Sequence, residues 1–269
     1  MEEMMERGEN RYRAKEWEQV CEPFQMAPGV YYVGTTYVGS YLLDTGDGLI
    51  LIDQAFAESV YLILESVRKL GFDPMDIKML LVSHGHLDHC GGTRLLQEYT
   101  KAKVYMSKED YQMMKEHPEW VYFDYENRID FEPDAFYDDE HPIKLGSMEI
   151  RTVLTPGHTP GTTSFFFDVK DGTGKSFHCG LHGGVGLNTL VPEFYEKWPG
   201  WPEDLLEKFK NSLNMLMGET VDITLPSHPN QVPVLDKAGT YKEGQNPFVN
   251  PEAWPELLKA RLDMADKLA

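Results

Sequence analysis

The chain has 269 residues, of which 41% are hydrophobic, and it carries a formal net charge of −19. This length fits one large domain or two small ones, and the apolar fraction is enough for a substantial core. The negative charge argues against a nucleic-acid partner, because a protein that binds phosphates needs a basic surface. The acidity itself fits a solvated surface.

The N-terminus and the cysteines point away from secretion and from membranes. The first ten residues are acidic and polar, without the apolar stretch of a secretory signal. No apolar run approaches the roughly 20 residues that a membrane span needs. Three cysteines, Cys21, Cys90 and Cys179, are too few and too scattered for a disulfide framework. We therefore expect a cytoplasmic protein that does not bind a membrane.

Hydrophobic patterning predicts alternating strands and helices. A charged, helical arm is expected over residues 1–20, followed by a single domain over 21–269. The predicted strands cover 30–34, 37–43, 48–53, 77–82, 103–106, 148–154, 162–169, 175–179 and 221–225, and the predicted helices cover 57–70, 93–100, 203–217 and 252–267. Because hairpins are mixed with the alternation, we expect an α/β fold with two sheets and helices outside, a four-layer αβ/βα sandwich.

Two long segments, 117–142 and 182–202, interrupt this pattern and are rich in aromatic residues. Long loops with their own aromatic side chains are often functional, so they could form a lid over an apolar group of a substrate. Alternatively, the aromatic side chains form a local core that only packs the loops. Composition does not separate these two interpretations.

The most informative segment follows the predicted strand 77–82. There, four metal-ligand side chains lie within six positions in the pattern H-x-H-x-D-H: His84, His86, Asp88 and His89. Imidazole nitrogen and carboxylate oxygen are the ligands that zinc prefers when no thiolate is present. The cluster therefore predicts a metal site, and it needs further ligands from elsewhere in the chain.

Two other histidines follow predicted strands in rigid turns. His158 stands in Thr-Pro-Gly-His-Thr-Pro-Gly and His228 in Pro-Ser-His-Pro. Such turns project a side chain without the constraint of a helix or strand. A single histidine at a strand end is more often an ordinary polar residue than a ligand, but the cluster at 84–89 favours the ligand role. Because the strands of one sheet layer can bring their ends together, we expect the three loops to meet.

Together these motifs resemble the metallo-β-lactamase superfamily. The resemblance runs over about residues 27–230 and includes Asp53 at the end of an early apolar strand. It implies the αβ/βα sandwich and two zinc ions. By this resemblance His84, His86 and His158 would hold the first ion, and Asp88, His89 and His228 the second. Asp53 would orient a ligand or nearby backbone through a hydrogen bond, although an aspartate there could equally cap a turn.

One position departs from the family pattern. Many members place a bridging Asp or Cys after a strand where this chain has Gly180-Leu181. Leucine cannot bind a metal, and Cys179, two residues earlier, is expected to be a small buried residue. The chain is therefore most similar to the third, B3-like subclass, which also lacks that ligand. An alternative is that His182 enters the second site, while the role of His178 stays open.

The ligand set predicts a dinuclear zinc hydrolase. Zinc lowers the pKa of its bound water to about 7, so that hydroxide can attack a carbonyl carbon at neutral pH. Asp88 is expected to be catalytic, because it can orient the nucleophile and accept its proton. The expected substrate is a small-molecule lactam, amide, lactone or ester. Candidate substrate-facing residues are His182, Tyr122, Tyr125 and Tyr195.

Two other functions remain open at this point. An iron-dependent oxidoreductase on the same fold would keep similar ligands, but Leu181 disfavours it because such enzymes usually keep the bridging carboxylate. A binding or regulatory protein with a vestigial site is disfavoured by the complete ligand set. The sequence leaves open whether the chain forms a homo-oligomer.

Overall fold

The computed structural model describes residues 16–122 and 130–268. In these parts the strands form two sheets, each in chain order. The first sheet contains β1 (Phe24–Ala27), β2 (Val30–Tyr32), β3 (Tyr41–Asp44), β4 (Leu49–Ile52), β5 (Ile77–Leu81), β6 (Lys103–Met106) and β7 (Ala135–Phe136). The second contains β8 (Ile143–Leu145), β9 (Met148–Leu154), β10 (Thr163–Lys170), β11 (Ser176–Leu181) and β12 (Ile223–Thr224). Pairing is antiparallel from β1 to β4 and from β8 to β11, and parallel from β4 to β7 and between β11 and β12.

Helices connect and cover these strands. They are α1 (Val60–Lys69), α2 (Leu87–Cys90), α3 (Thr93–Thr100), α4 (Lys108–Glu116), α5 (Pro118–Tyr122), α6 (Pro192–Lys197), α7 (Leu205–Leu216) and α8 (Ala253–Ala265). Short 3₁₀ turns cover Glu16–Gln19, Ala57–Ser59, Pro74–Asp76 and Leu235–Lys237. Within the described residues, no helix combines the length and the apolar character needed to cross a bilayer.

Alternating side chains of the strands divide the core into two parts. On β10, Phe165 and Phe167 face the space between the sheets, whereas Phe166 faces the helices outside. On β4, Ile50 and Ile52 face inward in the same way, while its leucines pack toward the helices. Since both faces of each central strand are buried, a register shift of one residue would exchange the two sets of contacts. The predicted four-layer αβ/βα sandwich is therefore confirmed.

Several elements differ from those predicted. The strand expected over 37–43 begins only at Tyr41, because the preceding residues form a tight turn in which the Thr35 amide donates to the Val38 carbonyl at 2.9 Å. β1, β7, β8, the helix α2 and the helices α4 to α6 were not predicted. α4 begins where the Ser107 hydroxyl accepts a hydrogen bond from the Asp110 amide, an N-terminal cap that the sequence carries in its Ser-x-x-Asp spacing.

We expect Trp254→Ala to destabilise the fold strongly. Trp254 is fully buried on α8, its indole N–H donates to the Leu216 carbonyl of α7 at 3.0 Å, and its ring meets Phe166 edge-on. Truncating a buried tryptophan costs about 3–5 kcal/mol, because a cavity remains. Urea unfolding followed by circular dichroism measures the loss. The control Lys259→Ala, exposed on the same helix, should change stability little; an equal effect of both variants would contradict this account.

Candidate metal centre

The predicted ligand loops meet at one edge of the sandwich. The loop after β5 carries His84 and His86, and the short helix α2 carries Asp88 and His89. His158 follows β9, and His228 follows β12. β5 belongs to the first sheet whereas β9 and β12 belong to the second. The expectation that strands of one layer would supply all three loops is thus wrong: the site lies where the ends of both sheets meet.

The six side chains form two groups. One consists of His84, His86 and His158, and the other of Asp88, His89 and His228; in each group the ligand atoms all lie within 4.8 Å of one another. All six are buried except His228, which is half-buried. The structure brings together every residue that the sequence motifs selected as a ligand.

Neighbouring groups determine which nitrogen carries the proton in three of these histidines. The Nδ1 atoms of His158 and His228 lie 2.9 and 2.8 Å from the carbonyls of Gly186 and Tyr37, which only accept hydrogen bonds. His89 Nδ1 lies 2.7 Å from the Asp53 carboxylate. Each Nδ1 atom must therefore carry the proton and donate the hydrogen bond. The Nε2 atom of each ring is then unprotonated and keeps its lone pair.

These lone pairs face each other. His89 Nε2 and His228 Nε2 are 3.3 Å apart, although both act as acceptors in the neutral rings. His84 Nε2 is buried and has no hydrogen-bond partner among the described residues. Converging lone pairs repel one another unless a proton or a metal ion lies between them. The donor set of imidazole and carboxylate fits zinc, so the residues present are compatible with a metal in each group.

Burial keeps most of these histidines neutral. Burial, with the other histidines adding to it, lowers the pKa of His84 and of His86 well below the usual value. It also lowers the pKa of His158 to about 4 and depresses that of His228. For His89, burial is outweighed by Asp88 and Asp53, which raise its pKa. A neutral imidazole is the form that binds metal.

Asp53 connects the two ligand-bearing segments. Its carboxylate accepts hydrogen bonds from the Ser83 amide and the Ser83 hydroxyl, each at 2.8 Å, as well as from His89. The Ser83 hydroxyl thus donates its hydrogen bond to Asp53. Its oxygen accepts a hydrogen bond from His84 Nδ1, 3.0 Å away. Asp53 adopts φ = 56°, a left-handed conformation that aspartate tolerates better than most residues. One carboxylate therefore contacts a histidine of one group directly and a histidine of the other through a serine.

Asp110, which the motifs did not single out, holds two ligand loops together. Its fully buried carboxylate accepts hydrogen bonds from the Gly85 and Gly161 amides and from the Thr159 hydroxyl, at 2.6 to 2.7 Å. Burial raises the pKa of Asp110 to about 6, and these three donors oppose a further rise. The loop carrying His84 and the loop carrying His158 are thus joined through one side chain on α4.

The glycines of the segment 182–202 lie against His158. A Cβ atom at Gly184 would approach the His158 ring to 2.6 Å, and one at Gly186 to 2.9 Å. Both distances are shorter than real Cβ contacts allow, so only glycine lets the backbone reach the ring. This close approach also brings the Gly186 carbonyl to His158 Nδ1.

A cleft of about 350 Å³ opens over the candidate metal groups, a volume within the range of small-molecule sites. Its floor includes histidines of both groups and Asp88. Its walls come from four parts of the chain: the loop around Tyr37, the segment 184–188, the loop 227–231, and the helix α8, which contributes Arg261 and Met264. The contribution of α8 was not predicted, because nothing in the sequence near Arg261 resembles a ligand motif.

Two of the candidate substrate-facing residues, His182 and Tyr195, do not line the cleft. His182 is buried, accepts a hydrogen bond from the Gly184 amide, and does not line the cleft. Burial, with smaller effects of His158 and Arg261, lowers its pKa to about 3. Tyr195 does not line the cleft either. Tyr125 and the side chain of Tyr122 lie outside the described residues.

Three described aromatic residues of the two long segments form a packed cluster rather than a lid. Trp201 is buried and meets the rings of Trp120 and Phe194 edge-on, each at 5.1 Å between ring centroids. The local-core interpretation thus applies to these described side chains. Cys179 and Leu181 lie buried between the sheets, as expected for Cys179. His178 pairs with Asp168 and stacks on Phe166, on the opposite face of β11.

Comparison with known proteins identifies the family. Residues 33–173 match the model of the metallo-beta-lactamase superfamily. The structure is similar to BJP-1, a subclass B3 metallo-beta-lactamase of Bradyrhizobium japonicum, with a TM-score of 0.82 and 28% identity over 94% of this chain and 95% of that one. It is also similar to the class B3 di-zinc enzyme LRA-12 from an Alaskan soil metagenome, with a TM-score of 0.80 and 26% identity over 95% and 97% of the two chains. The resemblance to the third subclass is confirmed.

A curated relative is named for a different activity. The chain is 30% identical over 110 residues to the N-acyl homoserine lactonase AttM of Agrobacterium fabrum, a match that covers 38% of this chain and 40% of that protein. The match thus spans less than half of either protein.

We expect Asp53→Asn to weaken metal binding while the fold is kept. Asparagine also tolerates the left-handed conformation, but its amide lacks the charge that holds the Nδ1 proton of His89. Loss of such a carboxylate behind a ligand typically weakens metal affinity by about 10- to 100-fold. Competition with a chromophoric zinc chelator measures the affinity. The exposed Asp47→Asn variant serves as the control, and unchanged affinity in Asp53→Asn would refute the orienting role.

Proposed function

The chain belongs to the metallo-β-lactamase superfamily, and on that premise we propose that it is a dinuclear zinc hydrolase acting on a carbonyl group of a small molecule. The first zinc would be held by His84, His86 and His158, and the second by Asp88, His89 and His228. The observation that carries this proposal is the convergence of unprotonated imidazole nitrogens within two compact groups. The donor types and the di-zinc relative LRA-12 support zinc in both.

Zinc in such a site polarises a carbonyl group and makes water acidic enough to ionise at a pH of about 7. The residues of the chain prepare the site for that chemistry. Asp53 and the Gly186 and Tyr37 carbonyls keep the Nδ1 protons in place, so the ring orientations are set before substrate arrives. Preorganisation of this kind avoids reorientation of the ligands during the reaction.

Asp88 is the proposed proton acceptor. Its Oδ2 atom lies 3.6 Å from Nε2 of His89 and 3.6 Å from Nε2 of His228, and the residue lines the cleft. A carboxylate in this position belongs to the second group and also faces the space where substrate binds. Asp88 would therefore orient the nucleophilic water and take up its proton.

The substrate class follows from the shape of the cleft and from the relatives. A cleft of about 350 Å³ accepts a small molecule rather than a folded macromolecule. Relatives named as β-lactamases and as a lactonase both open a cyclic carbonyl compound. We therefore place the substrate among lactams, lactones and related amides or esters.

We expect the double substitution of His84 and His86 by Ala to abolish activity and to remove one metal. Zinc content, measured by inductively coupled plasma mass spectrometry, should fall from two ions per chain toward one. Hydrolysis should fall by at least about 1,000-fold, because the charge stabilisation supplied by a catalytic metal is worth several kcal/mol.

The matched control is His141→Ala, since the side chain of His141 is 78% exposed and pairs with Asp138, away from both candidate metal groups. It should retain both zinc and activity. Full activity in the double variant would contradict the metallohydrolase proposal, and stoichiometric iron in natively purified protein would favour the oxidoreductase alternative instead.

A substrate panel distinguishes the branches. Nitrocefin, an N-acyl homoserine lactone and a thioester should include at least one compound that the zinc-loaded protein hydrolyses and the double variant does not. Turnover of the lactone or thioester alone would exclude β-lactamase activity. No turnover of any compound by protein that holds two zinc ions would contradict the hydrolase proposal.

A further inference from the structure

Arg261 places a positive charge in the wall of the cleft. It lies on α8 and lines the same cavity as His84, His158 and Asp88, although it is far along the chain from the H-x-H-x-D-H cluster. Arg261 also contributes to lowering the pKa of His182. Arg261 is therefore both a wall residue of the cleft and within electrostatic reach of His182.

The guanidinium of Arg261 has little to bind within the protein. Its Nε atom is buried and has no hydrogen-bond partner among the described residues. Its only polar contact in those parts of the chain joins NH1 to the Met264 sulfur at 3.7 Å, a weak acceptor. No described carboxylate forms an ion pair with it, and burial is the cause that lowers its pKa.

This arrangement is unusual in so acidic a protein. The chain has 44 acidic residues against 25 basic ones, so a carboxylate to neutralise a half-buried arginine is easy to supply. A partly desolvated charge without a counterion is costly. An anionic group on a ligand would offset that cost, because it would supply the negatively charged hydrogen-bond acceptors that Arg261 lacks among the described residues.

We propose that Arg261 determines the substrate specificity of the cleft by binding a carboxylate group of the substrate, while the scissile carbonyl lies over the two candidate metal groups. This inference rests on the proposed function and narrows its substrate class to carboxylate-bearing compounds. The planar guanidinium presents parallel N–H donors that match the two oxygens of a carboxylate.

The test uses binding, so that it does not depend on the identity of the natural substrate. The probes are ω-mercaptoalkanoates of increasing chain length and the matching primary amides, titrated calorimetrically into the zinc-loaded full-length protein. A thiol can bind zinc in each compound, whereas only the acid offers a carboxylate to Arg261. The series of chain lengths covers the distance between the candidate metal groups and the guanidinium of Arg261.

We expect wild-type protein to bind the best acid about 10- to 100-fold more tightly than its amide, as is typical of charge-assisted hydrogen bonds. Arg261→Gln should remove that preference without changing the affinity for the amide. Arg261→Lys should keep part of the preference for the acid, because lysine retains the positive charge but not the two parallel N–H donors of the guanidinium. Lys259→Gln, which removes the same charge from an exposed position of the same helix, should leave the preference unchanged.

The outcomes separate the two proposals. If acid and amide bind equally to wild-type protein, or if Arg261→Gln keeps the preference, carboxylate recognition by Arg261 is overturned while the metal site stands. An equal loss in Lys259→Gln would also overturn it, because the effect would then be general electrostatics. If the protein takes up no zinc and binds no thiol, the proposed function fails and this inference fails with it.

Discussion

Mutual repulsion among converging lone pairs is the constraint on which the rest of the structure depends. Five imidazoles and one carboxylate occupy a small region at the end of two sheets, largely removed from water. Without a cation, lone pairs such as those on Nε2 of His89 and His228, 3.3 Å apart, destabilise the folded state. The surrounding structure must therefore hold the rings in a geometry that becomes favourable only when a positive charge is bound, which couples metal binding to stability.

Two buried carboxylates provide this restraint, and they do so in different ways. Asp53 acts on the rings, because it accepts the Nδ1 proton of His89 and reaches His84 through Ser83. Asp110 acts on the backbone, because it accepts hydrogen bonds from backbone amides of the two loops that carry histidines of the first group. Each spans segments that are distant in the chain, so the core of the sandwich must be formed before either network can be complete. Precision at the site is thus a consequence of tertiary packing.

The sequence reveals those features that depend on local spacing. The ligands could be predicted because H-x-H-x-D-H and the two Pro-flanked histidines lie in short motifs after apolar strands. β9 and α3 were predicted with the bounds that the structure shows, since their periodicity is regular. β1 and β8, by contrast, are short strands in which a polar residue interrupts the apolar ones, so no continuous apolar run marks them. The meeting of loops from both sheets and the aromatic cluster around Trp201 depend on long-range packing, which local pattern does not encode.

Arg261 could not be predicted from local sequence patterns either, although we propose that it determines which substrates bind. Its environment is created by the fold: α8 packs against α7 through Trp254, which fixes the helix on the second sheet and carries the arginine to the cleft. The overall negative charge of the chain would repel an anionic compound at long range, but that repulsion is screened over about 10 Å at ordinary salt. Within the cleft, a half-buried guanidinium interacts more strongly than exposed charges do, because less water screens it. Local charge in the cleft, rather than net charge, therefore governs which small molecules bind, and an acidic protein is compatible with an anionic substrate.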